Sequence, residues 1–175
     1  MRIPTFRRIA VVGAAATVTM DVAWTAWRLL GGARVSDKVG PEVLGRWTGH
    51  LRQGQLRHDD IRETPPLGNE AAVGMAVHYA TGVALAGAYF AMLRMLKIKP
   101  STPVALAYGT ATGALPWLVL YPAYGYGWFG LREEPKGALI ATSAIGHVVF
   151  GLGIGVWAKV FDPSGSRRVC TCLEA

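Results

Sequence analysis

Three ionisable side chains stand inside stretches that are otherwise apolar: Asp21, His78 and His147. Asp21 is the one charged residue between Ile9 and Trp27. His78 lies in the uncharged run Ala71 to Leu93, and His147 in the uncharged run Gly137 to Ala158. An ionisable group in a hydrocarbon core costs roughly 2.5–3.5 kcal/mol on insertion scales, so each needs a partner or a purpose. A carboxylate with two imidazoles can hold zinc or a non-haem metal, leaving positions for water or substrate. The same trio can relay protons, and paired histidines can bind a haem, the less favoured cofactor. The structural alternative is that each histidine makes one interhelical hydrogen bond while Asp21 pairs with Arg28 or a histidine.

Spacing strengthens the grouping. Counted from the end that bears the long connection, Asp21 lies nine residues from Leu30, His78 eight from Glu70 and His147 ten from Gly137. At ~1.5 Å per helical residue, all three sit about 12–15 Å deep. Each also belongs to a stripe of small or polar residues four apart: Thr17, Asp21, Thr25; Glu70, Gly74, His78, Gly82; and Ser143, His147, Gly151, Gly155. Such stripes allow close helix approach and face a bundle interior rather than lipid. Glu70, His50 and His58 are candidates for the mouth or an outer shell of the site. Glu70, two turns from His78 and about 12 Å along the helix, is expected to act as a mouth carboxylate.

The elements that must position these groups follow from composition. Of 175 residues, 51% are hydrophobic and 17% charged, against ~25% charged in a typical soluble domain. Four runs approach the ~20 residues needed to cross a hydrocarbon core of ~30 Å. The predicted spans are 9–30, 70–95, 102–123 and 137–159. A soluble core made of four such runs would leave almost no polar helix face for water. The first run has the basic start of a signal peptide (Arg2, Arg7, Arg8), but its apolar stretch continues through Trp24 and Trp27 to Leu30. That is longer than a signal core, so a retained helix is expected. Pro116 predicts a kink in the third span, which also offers Gly109, Gly113, Tyr121 and Tyr124.

Between the first two spans, Pro41 suits the first turn of a helix whose Val43, Leu44, Trp47 and Leu51 share one face. This predicts a short amphipathic helix at the membrane interface near 41–51, ended by Gly54. Pro65 and Pro66 impose an extended approach to the second span, which Asn69 is expected to cap. The fold class is therefore all-α: a four-helix transmembrane bundle with a short interfacial helix. One integral-membrane domain is expected over 1–160, with a polar tail over 161–175.

Eighteen Lys and Arg against eleven Asp and Glu give a formal charge of +7. The bases are scattered between apolar runs rather than gathered on one patch, which argues against nucleic-acid binding. With four spans, the N-terminus, the loop carrying Arg94, Lys97 and Lys99, and the C-terminus share a side, and their basic residues favour a cytoplasmic placement of both termini in the plasma membrane. The connection's Arg34, Lys38, Arg46, Arg52, Arg57 and Arg62 pull the other way. The expected partners are the lipid bilayer and, through the small-residue faces, further copies of the chain. Gly125, Gly127 and Gly130 have dinucleotide-fingerprint spacing, but they follow a membrane span rather than a strand, so an interfacial turn is expected. Cys170 and Cys172 are too close for a mutual disulfide and read as part of an exposed tail; Glu174 spoils a prenylation box.

Taken in order, these residues resemble a bacterial multi-pass membrane family known as domain of unknown function 2938. The resemblance covers roughly residues 10–158. It rests on Ala16-Thr17 with Met20-Asp21, Gly45-Arg46-Trp47 with His50, and Gly54 with Arg57-His58 and Ile61. It continues through Glu70, Gly74 and His78-Tyr79, Pro122 with Gly125 and Gly127, and His147 with Phe150-Gly151 and Gly153. The resemblance implies a small multi-pass protein and supplies no activity. Two classes stay open: an intramembrane site for metal binding, proton relay or transport on Asp21, His78 and His147, and a structural or accessory protein whose polar residues lock helix packing.

Overall fold

The computed structural model describes residues 4–32 and 38–161, and among these every regular element is helical. Helix α1 spans Phe6–Trp27 and runs on into a π-helical turn, Arg28–Gly32. Thr5 starts it, its hydroxyl accepting the Arg8 N–H at 3.4 Å. Helix α2 is Pro41–Arg52, with proline in the first turn. Gly54, at φ +88°, turns the chain away, a conformation that L side chains rarely adopt. Helix α3 is Glu70–Met95. The third apolar segment is broken: α4 is Thr102–Thr112, a π-helical turn occupies Pro116–Leu120, and the short α5 is Tyr121–Tyr124. Helix α6 is Ala138–Val160.

Among the described residues four segments are long and apolar enough to cross a membrane: Phe6–Leu30, Glu70–Met95, Thr102–Tyr124 and Ala138–Val160. They match the predicted spans closely, and the interruption falls where Pro116 lacks a backbone donor. Helix α6 ends at Val160, and Arg34, Cys170 and Cys172 lie outside the described residues.

Lipid supplies little hydrophobic drive between helices, so close packing must hold them together. α1 packs on α3 and α6, α4 on α6, and α2 on α3. Tyr108 closes the ring by donating from its hydroxyl to the Leu85 carbonyl, 2.7 Å away. The approach is closest at small residues. A Cβ on Gly13 would lie 2.6 Å from the Val83 Cα, and one on Gly153 would lie 2.9 Å from the Ala16 Cα. A Cβ on Gly109 would overlap the Gly151 backbone. The small-residue faces are thus used inside the chain.

The two ends of the bundle differ. At the end bearing the chain's N-terminus, Val12, Ala16, Tyr89, Phe90, Leu93, Ala105, Phe150, Ile154 and Ala158 form a continuous core. At the other end, Ile61, Tyr121, Tyr124, Tyr126 and Leu139 make a second, aromatic cluster, with Val43 and Trp47 packed against it. Val43 and Trp47 of the apolar face of α2 therefore meet this cluster while Leu51 stays exposed, and glycines seat the helix on α3: a Cβ at Gly45 would overlap Glu70, and one at Gly74 would overlap Pro41. The Asn69 cap also departs from expectation. Asn69 takes a left-handed conformation at φ 62° and its side chain caps nothing. Glu70 instead bends back to accept the Leu67 N–H at 2.6 Å.

Candidate functional site

Between the solid end and the aromatic cluster lies a cavity of about 220 Å³. Asp21, Met20 and Trp24 of α1 line it, with Met75 and His78 of α3, and Thr142, Ser143, Gly146 and His147 of α6. Pro116, Leu120, Tyr121 and Tyr124 close the side of the third span, and Val39, Gly40, Pro41 and Leu44 cover the mouth. Three of the predicted residues, from three helices, thus border one space. The stripes hold in their inner parts: Thr17, Gly74, Gly82, Gly151 and Gly155 are buried, whereas Thr25 is exposed.

Asp21 is bonded across the helix boundary. Its Oδ1 lies 2.9 Å from His78 Nε2, and its Oδ2 accepts the Tyr79 hydroxyl at 2.8 Å. A carboxylate accepts only, so His78 donates from Nε2 and, when neutral, carries its lone pair on Nδ1. The side chains of His78 and Asp21 are 25% and 33% exposed, so the pair is not sealed.

His147 is held differently. The Thr112 hydroxyl lies 2.6 Å from the Gly109 carbonyl and 2.8 Å from His147 Nδ1. The carbonyl cannot donate, so the hydroxyl proton goes to Gly109 and the imidazole N–H donates to Thr112. Neutral His147 therefore keeps its lone pair on Nε2. On the same helix, Ser143 accepts from Trp117 Nε1 at 2.8 Å.

The metal expectation finds no support here: among the described residues no group of three His, Cys, Asp or Glu is arranged to hold an ion. One His78 nitrogen is committed to Asp21 and one His147 nitrogen to Thr112, which separates the imidazoles into different hydrogen-bond sets.

Glu70, His50 and His58 do not line this cavity. Glu70 is engaged by Arg46, whose Nε and Nη2 donate at 2.8 and 3.0 Å. This bond holds the Arg46 guanidinium above its ordinary pKa. His50 and His58 are buried together, rings edge to face with centroids 5.4 Å apart. His50 Nε2 donates to the Pro65 carbonyl at 3.1 Å. Burial, and secondarily the neighbouring His50, hold His58 below the usual 6.5. His58 borders a separate polar cleft of about 550 Å³ with Asp59, Asp60, Glu63 and Arg132.

The charged connection is stitched to the loop opposite. Lys38 and Arg62 both bond Glu133, at 2.7 and 2.9 Å, and Arg62 also pairs with Asp60. Gly125, Gly127 and Gly130 all have positive φ, at 91°, 74° and 70°, and they follow the short helix α5 rather than a strand, so they shape a turn rather than a nucleotide loop. The residues missed from sequence were Tyr79 and Thr112. Tyr79 is next to His78 rather than four away, and Thr112 sits in a run with no other cue.

The profile of the family described as protein of unknown function (DUF2938) matches residues 10–161. The chain belongs to this family. No curated protein and no solved structure matches the chain.

Proposed function

We propose that this protein is a proton-exchanging membrane protein, with Asp21 and His78 as the groups that take up and release the proton. The observation that carries this reading is the 2.9 Å bond between Asp21 and His78 at the wall of a cavity of about 220 Å³ that His147 also borders. Before uptake the pair is a carboxylate and a neutral imidazole, with the free lone pair on His78 Nδ1. A proton arriving there makes an imidazolium that Asp21 stabilises at contact distance, which offsets the cost of charging it away from bulk water. His147 Nε2 is the second acceptor on the same cavity. Intramembrane carboxylate and imidazole groups of this kind are the usual parts of proton relays. We also propose the plasma membrane with both termini cytoplasmic, a reading supported by the basic residues at the N-terminus, at Arg94, Lys97 and Lys99, and after the fourth span.

The test is proton flux into liposomes carrying the purified protein and a trapped pH dye, driven by a potassium diffusion potential. Flux above that of empty liposomes, lost in Asp21→Asn and His78→Gln, supports the reading. Flux equal to that of empty liposomes, or untouched by both variants, removes it.

The structural reading is favoured by a specific observation of its own: the same bonds tie α1 to α3, and Thr112 to His147 ties α4 to α6. It expects Asp21→Asn and His78→Gln to lower the amount of folded protein together with any flux.

A further inference from the structure

We infer that the cavity bordered by Asp21 takes a small organic cation with an apolar body; this rests on the reading of Asp21 and His78 as a proton-exchanging pair. Four observations converge on this class. Among the described residues lining the cavity, Asp21 is the sole carboxylate and there is no lysine or arginine. Trp24, Tyr121 and Tyr124 give it aromatic walls. Aromatic faces attract cations, tryptophan most strongly and quaternary ammonium groups in particular. The remaining wall is largely apolar, with Met20, Met75 and Leu44, and methionine adapts to ligands of varied outline.

Size narrows the class. An apolar cavity of about 150 Å³ accepts benzene. About 220 Å³ therefore leaves room for one ring and a compact head group. A narrow groove of about 20 Å³ between α1 and α6, with Ala23, Trp27, Ile145 and Val149 along it, shares Met20, Trp24, Thr142 and Gly146 with the cavity.

Charge links the cation to the proton. With His78 neutral, Asp21 and His78 together carry one negative charge, which the cation neutralises. With His78 protonated, the pair is neutral and the cation meets a like charge beside the carboxylate. The titratable groups facing Asp21 are His78 and Tyr79 from α3, His147 from α6, and Tyr121 and Tyr124 from the third span; α2 contributes Pro41 and Leu44 to the wall. A proton on either histidine acts in the same direction and disfavours the cation. Cation and proton then exclude one another, as in exchange across a membrane.

The experiment uses the full chain in lipid nanodiscs and equilibrium dialysis with benzyltrimethylammonium, which has no proton to lose. Neopentylbenzene, its uncharged carbon isostere, and phenylacetate are the comparators, with empty nanodiscs subtracted. The expected result is saturable binding of the ammonium compound, about tenfold or more tighter than either comparator. Asp21→Asn should weaken it by roughly tenfold. Where Asp21→Asn fails to fold, Trp24→Leu, expected to weaken binding about threefold to tenfold, and the comparators on the parent decide. No saturable binding, or equal binding of the uncharged or anionic compound, overturns the inference. Proton flux that depends on Asp21 without cation binding removes the cation and leaves the relay. Saturable cation binding without proton flux keeps the cation and removes the relay.

Discussion

Arg46 and Glu70 face each other as a two-pronged pair, Nε to Oε1 at 2.8 Å and Nη2 to Oε2 at 3.0 Å, joining α2 to the first turn of α3. Glu70 also accepts the Leu67 N–H at 2.6 Å, and its side chain is 9% exposed. Three donors converge on one carboxylate, so its charge is structural. Glu70→Gln keeps the shape but removes the charge and misdirects one donor. It should cost about 2–3 kcal/mol of stability, read as a lower midpoint of thermal unfolding in detergent. The pH profile of proton flux should stay where it was.

Thr112→Val should act on His147 and leave His78 untouched. The isosteric methyl leaves the Nδ1–H without its acceptor, at a cost of about 1–2 kcal/mol. Histidine ¹⁵N spectra should show the His147 resonances leaving the Nδ1–H tautomer pattern while those of His78 stay put. Unchanged His147 resonances would refute the assigned hydrogen-bond direction.

Gly109 sits against Gly151 where α4 crosses α6, with no room for a side chain. Gly109→Ala should cost about 1–3 kcal/mol through overpacking. The control is Gly68→Ala, where a Cβ meets nothing within 4 Å. Equal melting temperatures for the two variants would contradict the close crossing.

His58 gives a pH dependence outside the membrane. Its folded pKa lies below the ordinary 6.5 because it is buried, and His50 adds to the effect. The unfolded or detached connection therefore binds the proton more readily than the docked one. The stability this contributes is present above about 6.5 and is lost as pH falls through the lower folded value. The protection factors of the amides of residues 54–64, taken relative to intrinsic exchange at each pH, should fall on acidification below about 6.5, and His58→Gln should flatten that response.

Much of this arrangement is legible in the sequence because membrane burial makes polar residues expensive. Asp21, His78 and His147 stand out for that reason, and helical rise alone puts them at one level. Pro116 announces the break in the third span. The fates of Glu70, His50 and His58 are not legible. Arg46 meets Glu70 across 24 positions, and His50 meets Pro65 across 15, through a connection whose path has no periodic signal. Tyr79 escapes because only the handedness of the α1–α3 contact brings its hydroxyl to Asp21. The apolar face of α2 reads as lipid-facing, since nothing in its own residues announces the aromatic cluster that covers it.

The docked connection has a consequence for the order in which the chain is made. Residues 38–63 are held by parts that emerge from the ribosome much later: His58 N–H bonds the Ala123 carbonyl at 2.9 Å, Gly125 lies against Asp59, and Glu133 receives Lys38 and Arg62. Arg46 finds Glu70 as soon as the second span has inserted, but the far half of the connection must wait until the third has. A nascent chain halted before residue 120 would carry its two membrane helices and α2, with the far half of the connection undocked and the cavity lacking its Tyr121, Tyr124 and His147 walls. Closure of the polar site is thus a late step of biogenesis, coupled to the arrival of the third span and α6 rather than to the helices that supply Asp21 and His78.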